Sequence, residues 1–261
     1  MGEIIVITSG KGGVGKTTSV AALGVALSLL DQKTLIVDLD IGLRNLDLVS
    51  GISDRTVNHW GDVIRKKCSL ENALVTHPNY PLLHILSAPQ WESHQNYTNE
   101  EMKSFYQRLA SQFDFVLIDS PTGAEYGFSH AVCGAEKALV LVQGEITSVR
   151  DGDKIAHFLS EQGCNQIYLM INRFQPSLVQ EGIVLSIEQM IDAVKLPLIG
   201  IIPEDIAITK SVNSGKSVFQ FSDSKSAKCY ENIAKRLLGK EVPLTVFKTK
   251  PLLNRLKITR K

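Results

Sequence analysis

An α/β fold, with a mostly parallel sheet covered by helices on both faces, is what this sequence predicts, and two observations predict it. Short apolar runs at 4–8, 34–38, 82–86, 115–119, 138–142, 167–171 and 198–201 are continuous rather than alternating, as strands are when both faces of their sheet are covered. Helical patterns at 16–30, 99–111, 148–161, 187–194 and 225–238 lie between or after them. Strand and helix alternating in this way give parallel pairing through crossover connections. Ligands of such sheets sit at the carboxyl ends of the strands, so the residues just past each apolar run are the candidates for chemistry.

Length and composition agree with that class. The chain has 261 residues, 44% of them hydrophobic and 21% charged, with 28 basic against 27 acidic side chains. That is enough chain to bury a large core, and too mixed in charge for a disordered acidic or basic polymer. No repeat or linker breaks residues 1–240, so these are expected to form one domain, with 241–261 as a basic tail. From Lys240 onward the net charge is +6, and the rest of the chain carries −5. A basic end on an acidic body suits a charged partner surface. No apolar run approaches the ~20 residues of a membrane-spanning helix. Met1-Gly2-Glu3 precedes the first strand without a basic leader, so the protein is expected to work where it is made. Cys68, Cys133, Cys164 and Cys229 form no C-x-x-C pair, and the histidines show no metal-ligand spacing. Free thiols in a reducing compartment, without structural zinc, are the expectation.

The strongest signal follows the first strand: Gly10-Lys11-Gly12-Gly13-Val14-Gly15-Lys16-Thr17-Thr18. Gly10, Gly15, Lys16 and Thr17 satisfy the G-x4-G-K-[ST] phosphate loop. Its glycines let backbone N–H groups wrap phosphates, and a helix beginning near Lys16 aims its positive end at them. Lys16 is expected to reach the β- and γ-phosphates, and the Thr17 hydroxyl to ligate Mg²⁺. A strand before, a helix after and a complete G-K-T ending separate this loop from the glycine-rich turn of a dinucleotide fold. The site reads as one for a nucleoside triphosphate, in a P-loop NTPase fold.

Three further strand ends supply candidates. Asp38-Leu39-Asp40 closes the second strand, and acids two residues apart there face the same side, toward Mg²⁺ and an attacking water. Asp40 is the choice for orienting that water or taking its proton; Asp38 is the alternative, nearer the water shell of the metal. Phe115-Val116-Leu117-Ile118-Asp119 reads as an apolar strand ending in the Walker B acid, which holds Mg²⁺ directly or through water. Ser120-Pro121-Thr122-Gly123 follows, with Gly123 placed to let the backbone approach a γ-phosphate. For the base, Asn172-Arg173 and Pro203-Glu204-Asp205 follow later strands, and an Asn amide has the donors and acceptor that read a purine edge.

The second lysine of the loop, Lys11, is not required by the plain pattern. The form K-G-G-V-G-K-T-T resembles the deviant Walker A loop of the ParA/MinD class of ATPases, where the extra lysine crosses to the partner subunit's nucleotide. Residues 11–18, 38–47, 119–123, 149–151, 171–173 and 202–205 stand where the MinD family has its motifs, and 38–47 is the most discriminating stretch. The resemblance implies an ATP- and Mg²⁺-dependent homodimer with slow, partner-stimulated hydrolysis. It also implies membrane binding through the C-terminus, recruitment of a MinC-like division inhibitor and stimulation by a MinE-like activator. Such a protein is cytoplasmic and peripheral on the inner face of the cell membrane, or stromal on the inner envelope if plastid-encoded. Asn172 with Arg173 would lie against adenine, and Asp151 on the partner-binding surface.

Three departures from the family stand out. Thr122 replaces a usual Ala, and Gln143-Gly144-Glu145 replaces a proline-containing segment, which is expected to loosen that loop. In the tail, Leu252, Leu253 and Leu256 share a helical face, but Ile258 points away and Arg260 intrudes on it. A ParA-like DNA-partitioning ATPase would carry basic patches on its body, yet the longest basic run there is Arg65-Lys66-Lys67. An iron–sulfur carrier would need paired cysteines. An FlhG-like flagellar-number regulator shares both the core and a membrane tail, and is the runner-up.

Overall fold

Among the described residues eight strands form one sheet: β1 (Glu3–Thr8), β2 (Thr34–Asp38), β3 (Val75–Thr76), β4 (Leu83–Leu86), β5 (Phe115–Asp119), β6 (Lys137–Val142), β7 (Gln166–Phe174) and β8 (Leu198–Pro203). Their order is β3-β4-β2-β5-β1-β6-β7-β8, and every neighbouring pair is parallel except β3 with β4. The computed structural model describes residues 1–42, 44–122, 126–245 and 247, without the side chain of Tyr126. The amphipathic stretch expected beyond Lys250 lies outside them, as do Leu43 and Gly123.

The helices are α1 (Lys16–Ser28), α2 (Asn45–Val49), α3 (Trp60–Ile64), α4 (Leu70–Ala73), α5 (Asn99–Ala110), α6 (Tyr126–Val132), α7 (Ile146–Glu161), α8 (Pro176–Gln180), α9 (Ile187–Val194), α10 (Ile206–Ser214) and α11 (Lys225–Leu237). Successive strand residues point to opposite faces, and this divides the core. Ile4 and Val6 of β1 pack with Phe105 and Tyr106 of α5 and Phe128 of α6. Ile5 and Ile7 pack with Leu23 and Leu27 of α1 and Tyr230 of α11. α1 is buried along nearly its whole length, as a helix without a polar stripe must be. The outer helices start on side-chain caps: Thr98 with Glu101 for α5, and Ser186 with Gln189 for α9, form reciprocal boxes.

β1 lies where the connections diverge. The chain leaves it toward β2 on one side, passing over β5, while β6, β7 and β8 add in turn on the other. A crevice opens at the carboxyl end of such a strand, and the glycine-rich loop fills that position. Between β2 and α5 the chain makes short helices and turns besides β3 and β4, and Trp60 anchors this stretch. That side chain is fully buried, donates from Nε1 to the Asp38 carbonyl at 2.9 Å, and packs against the Tyr97 ring at 4.7 Å with a tilt of 59°. Nearby, Glu92 is gripped by Arg65 at 2.6 Å and by the Tyr97 hydroxyl. Its neighbour Trp91 is 94% exposed.

Trp60→Ala should destabilise the fold by about 3–5 kcal/mol, since it opens a ring-sized cavity and orphans the Asp38 carbonyl. Urea denaturation checks this; a loss under about 1 kcal/mol would show that the surrounding chain collapses into the space.

Candidate nucleotide site

The loop after β1 is shaped by close approaches. Gly15 sits at φ 95°, and a Cβ on it would lie 2.5 Å from Asn172 Nδ2, so a side chain there would be both strained and obstructed. Gly10 packs against the α7 backbone, where a Cβ would meet Asp151 at 2.5 Å. Gly12 and Gly13 continue the turn between them, with Val14 buried beneath. α1 has no side-chain cap and no acid in its first turn. Its leading N–H groups, from Lys16, Thr17 and Thr18, are therefore left for whatever the loop holds, with the positive helix end behind them. Lys16 is 7% exposed and donates from Nζ to Ser9 Oγ at 3.3 Å, and Ser9 donates to the Lys11 carbonyl at 2.8 Å. Asn172 donates from Nδ2 to the Val14 carbonyl at 2.7 Å, tying the loop to β7.

The acids meet at the neighbouring strand ends. Asp38 and Asp119 are direct partners in the β2–β5 register, and both are buried. Asp38 Oδ1 accepts from the Asp40 amide at 2.8 Å and Oδ2 from the Leu46 amide at 3.4 Å. Neither oxygen of Asp119 has a hydrogen-bond partner, although Thr17 and Lys16 lie near enough to favour its charged form. Burial pushes both carboxyls above the usual carboxylate range, and the charge of Asp119 adds to the effect on Asp38. Burial also pushes the Lys16 ammonium down, against the pull of Asp119 and Asp40. Asp40 is half-buried and raised by that burial, with Lys16 pulling the other way.

An orphaned carboxylate beside a threonine hydroxyl suits a hard cation. Among the described residues no three His, Cys, Asp or Glu side chains converge into a metal cage. A cation held here would thus rest on Thr17, Asp119 and ligand oxygens, the manner in which Mg²⁺ is commonly bound with phosphates. Asp38, also a metal candidate from the sequence, has both oxygens engaged with backbone amides, and so orders the loop that carries Asp40.

A cleft of about 350 Å³ adjoins the loop, lined by Gly15, Thr18, Asn172, Arg173, Pro203 and Asp205 among others. All the base candidates therefore meet the phosphate loop. β7 runs on to Phe174 instead of ending at Ile171, because a bulge at Asn172–Arg173, with Arg173 at φ 53°, interrupts the apolar pattern without ending the strand. With Nδ2 of Asn172 committed to Val14, its Oδ1 is buried and unpartnered beside the cleft. Asp205 contributes shape instead of a free acceptor. Its carboxylate takes the Ala207 amide at 2.9 Å, the Ser226 amide at 3.0 Å and the Ser224 hydroxyl at 2.9 Å.

Lys11 makes an exposed ion pair with Glu145 at 3.1 Å. The segment Gln143-Gly144-Glu145, expected to be loose, is held: the Gln143 amide donates to Ser148 Oγ at 2.9 Å, and the Leu185 amide to the Gly144 carbonyl at 2.8 Å. The hydroxyl of Ser148 replaces the restraint that a proline would supply. Gly123 lies outside the described residues, but a Cβ on Gly12 would lie 3.8 Å from Thr122 Cγ2, so Thr122 borders the phosphate loop. Sequence reasoning missed three supports. Ser9 was legible, being a hydroxyl immediately before Gly10; Trp60 under Asp38 and Tyr230, 3.1 Å from Ser19 of α1 across 211 residues, gave no local signal.

Residues 5–218 match the model of the CobQ/CobB/MinD/ParA nucleotide-binding domain. The chain is 40% identical to the septum site-determining protein MinD of Synechocystis over 260 residues, 98% of each chain. It superposes on a chain of the MinC:MinD cell division complex of Aquifex aeolicus with TM-score 0.85 and 36% identity, over 94% of this chain and 99% of that one. The MinD of Pyrococcus horikoshii, complexed with Mg-ADP, matches with TM-score 0.81 and 30% identity, over 91% and 96%. These matches favour the MinD-type reading over a flagellar or DNA-partitioning one. The chain belongs to the CobQ/CobB/MinD/ParA family of nucleotide-binding ATPases and, within it, to the septum site-determining MinD proteins.

Proposed function

We propose that this chain is a Mg²⁺-dependent ATP hydrolase that acts as a dimerising switch on a membrane during division-site selection. The observation that carries the reading is the meeting, at one crevice, of an uncapped helix N-terminus, a buried lysine and an orphaned buried carboxylate. Each is unfavourable alone, and each is relieved by a triphosphate with its cation.

The α1 amides and Lys16 neutralise the β- and γ-phosphates, with the loop backbone of Gly10, Gly12, Gly13, Val14 and Gly15 wrapped around them. Thr17 and Asp119 would hold Mg²⁺, with Asp38 ordering the adjoining loop; when bound, the cation neutralises developing phosphate charge. Asp40 has the exposure and the raised affinity for protons that suit a residue orienting the attacking water. Asn172 Oδ1 accepts from an exocyclic amine of the base, with Arg173, Pro203 and Asp205 forming the walls. Lys11 exchanges Glu145 for the phosphates of the neighbouring protomer, so ATP and ADP states differ in dimer affinity. The MinC:MinD complex of the Aquifex relative supports a MinC-like inhibitor as partner, and a MinE-like activator follows from the same kinship. Nucleic acid is not expected as a partner.

Among the described residues no helix is long and apolar enough to cross a membrane, so attachment falls to the basic tail. Three leucines at partial depth and several basic residues bind anionic lipid weakly, and two tails on one dimer bind more firmly through effective concentration.

Lys16→Ala should abolish tight Mg-ATP binding by calorimetry, and Asp40→Ala should keep binding while slowing hydrolysis at least about a hundredfold. Wild-type turnover in Asp40→Ala would reassign the water-orienting role. In sedimentation with anionic liposomes, ATP should bring down more protein as dimer than ADP, and truncation after Lys250 should abolish the difference. Equal dimerisation in both nucleotides would remove the switch.

Asp119→Asn should stabilise the nucleotide-free chain in a pH-dependent way. A raised carboxyl binds its proton more tightly in the folded state, so the native fold is favoured below the unfolded carboxylate range and loses that advantage as pH rises through the folded value. The gain from Asn should therefore be nil near pH ~4 and grow toward neutrality, read as the difference in denaturation midpoints. Adding Mg-ATP should reverse the order of the two proteins.

A further inference from the structure

The last described residues, 241–245 and 247, lie against α11 and Phe174, and we infer that they form a positioning element of the base cleft, linking nucleotide affinity to the set of the C-terminal end. The inference rests on the nucleotide reading above and extends it to residues outside the crevice.

β8 is the edge strand, and its pairing with β7 is irregular twice. Ile199 is skipped between Leu169↔Leu198 and Met170↔Gly200, and β7 carries an extra residue between Ile171↔Ile201 and Phe174↔Pro203. Bulges loosen a ladder and re-aim side chains, and the second of these turns Asn172 and Arg173 toward the base cleft. The C-terminal segment reaches both. Arg236 of α11 donates from Nη1 to the Ile199 carbonyl at 2.7 Å, from Nε to the Val242 carbonyl at 3.0 Å and from Nη2 to the Pro243 carbonyl at 2.6 Å. One rigid guanidinium thus staples the first bulge to the segment. Thr245 meets Cys229 of α11, and the Phe247 ring packs 5.4 Å from Phe174 while touching both cores.

Phe174 immediately follows Arg173, whose left-handed φ of 53° is disfavoured for any residue with a Cβ. Such a conformation persists where its surroundings enforce it, and here Phe247 is one of the enforcing contacts. Without that ring the bulge relaxes, and the Oδ1 of Asn172 loses its aim into the cleft while Nδ2 stays on the Val14 carbonyl. The phosphate subsite stands on β1 and α1 and does not depend on Phe247. Linkage is reciprocal, so a bound base holds the segment as the segment holds the base.

Phe247→Ala in the full chain should weaken Mg-ADP binding roughly tenfold, leave binding of Mg-tripolyphosphate unchanged in calorimetry, and be restored by Phe247→Tyr. A purely structural role would lower both ligands together; that result, or wild-type ADP affinity, overturns the inference. Should the variant fold poorly, hydrogen exchange on the wild type decides: ADP, and not tripolyphosphate, should slow the amides of Thr245 and Phe247, and equal exchange overturns it. A wild type that binds tripolyphosphate but no adenine nucleotide would instead sink the base-site reading itself.

Discussion

Parallel pairing of β2 with β5 sets the carboxyl of Asp38 beside that of Asp119, away from water and with only one of the two bonded to the backbone. Much of the structure is arranged around that placement. Trp60 fixes the carbonyl of Asp38 from below, the Asp40 and Leu46 amides fix its side chain, and Lys16 is drawn into the same buried space. The result is a region that cannot satisfy its own charges. A protein core tolerates this only where a ligand completes it, so the unrelieved electrostatics serve binding at the expense of the unliganded fold.

The phosphate loop shows how distant strands share the work. Its start packs on α7 through Gly10, its middle is tied to β7 through Asn172, and its far side borders the loop after β5. The side chain suited to an exocyclic base amine therefore also braces the backbone suited to phosphates. The two subsites share this one residue, while the phosphate loop keeps further supports in Ser9 and in the packing of Gly10 on α7.

The layered α/β architecture and the glycine loop were legible because both rest on local patterns: continuous apolar strands, and a motif whose spacing follows from wrapping a phosphate. Asp40, Asp119 and Asn172 were legible as positions at the ends of continuous apolar runs. What stayed hidden depended on contacts between distant segments. The β7 bulge could not be read, since Asn172-Arg173 looks like the end of a strand when one cannot see Phe174 re-pair with Pro203. Short helices such as α2 and α3 hold too few residues to show a period. That the Asp205 carboxylate is taken up by two amides and a hydroxyl of its own chain likewise depends on Ser224 and Ser226, far along the sequence.

The two tryptophans lie at opposite extremes, one sealed beneath the Asp38 carbonyl and the other almost wholly in water. Their emission is accordingly separable by colour and by collisional quenching, with the blue, protected component belonging to Trp60. That indole shares a hydrogen bond with the strand end leading into the Asp40 loop, so the unlabelled molecule carries an optical gauge wired to its candidate nucleotide site.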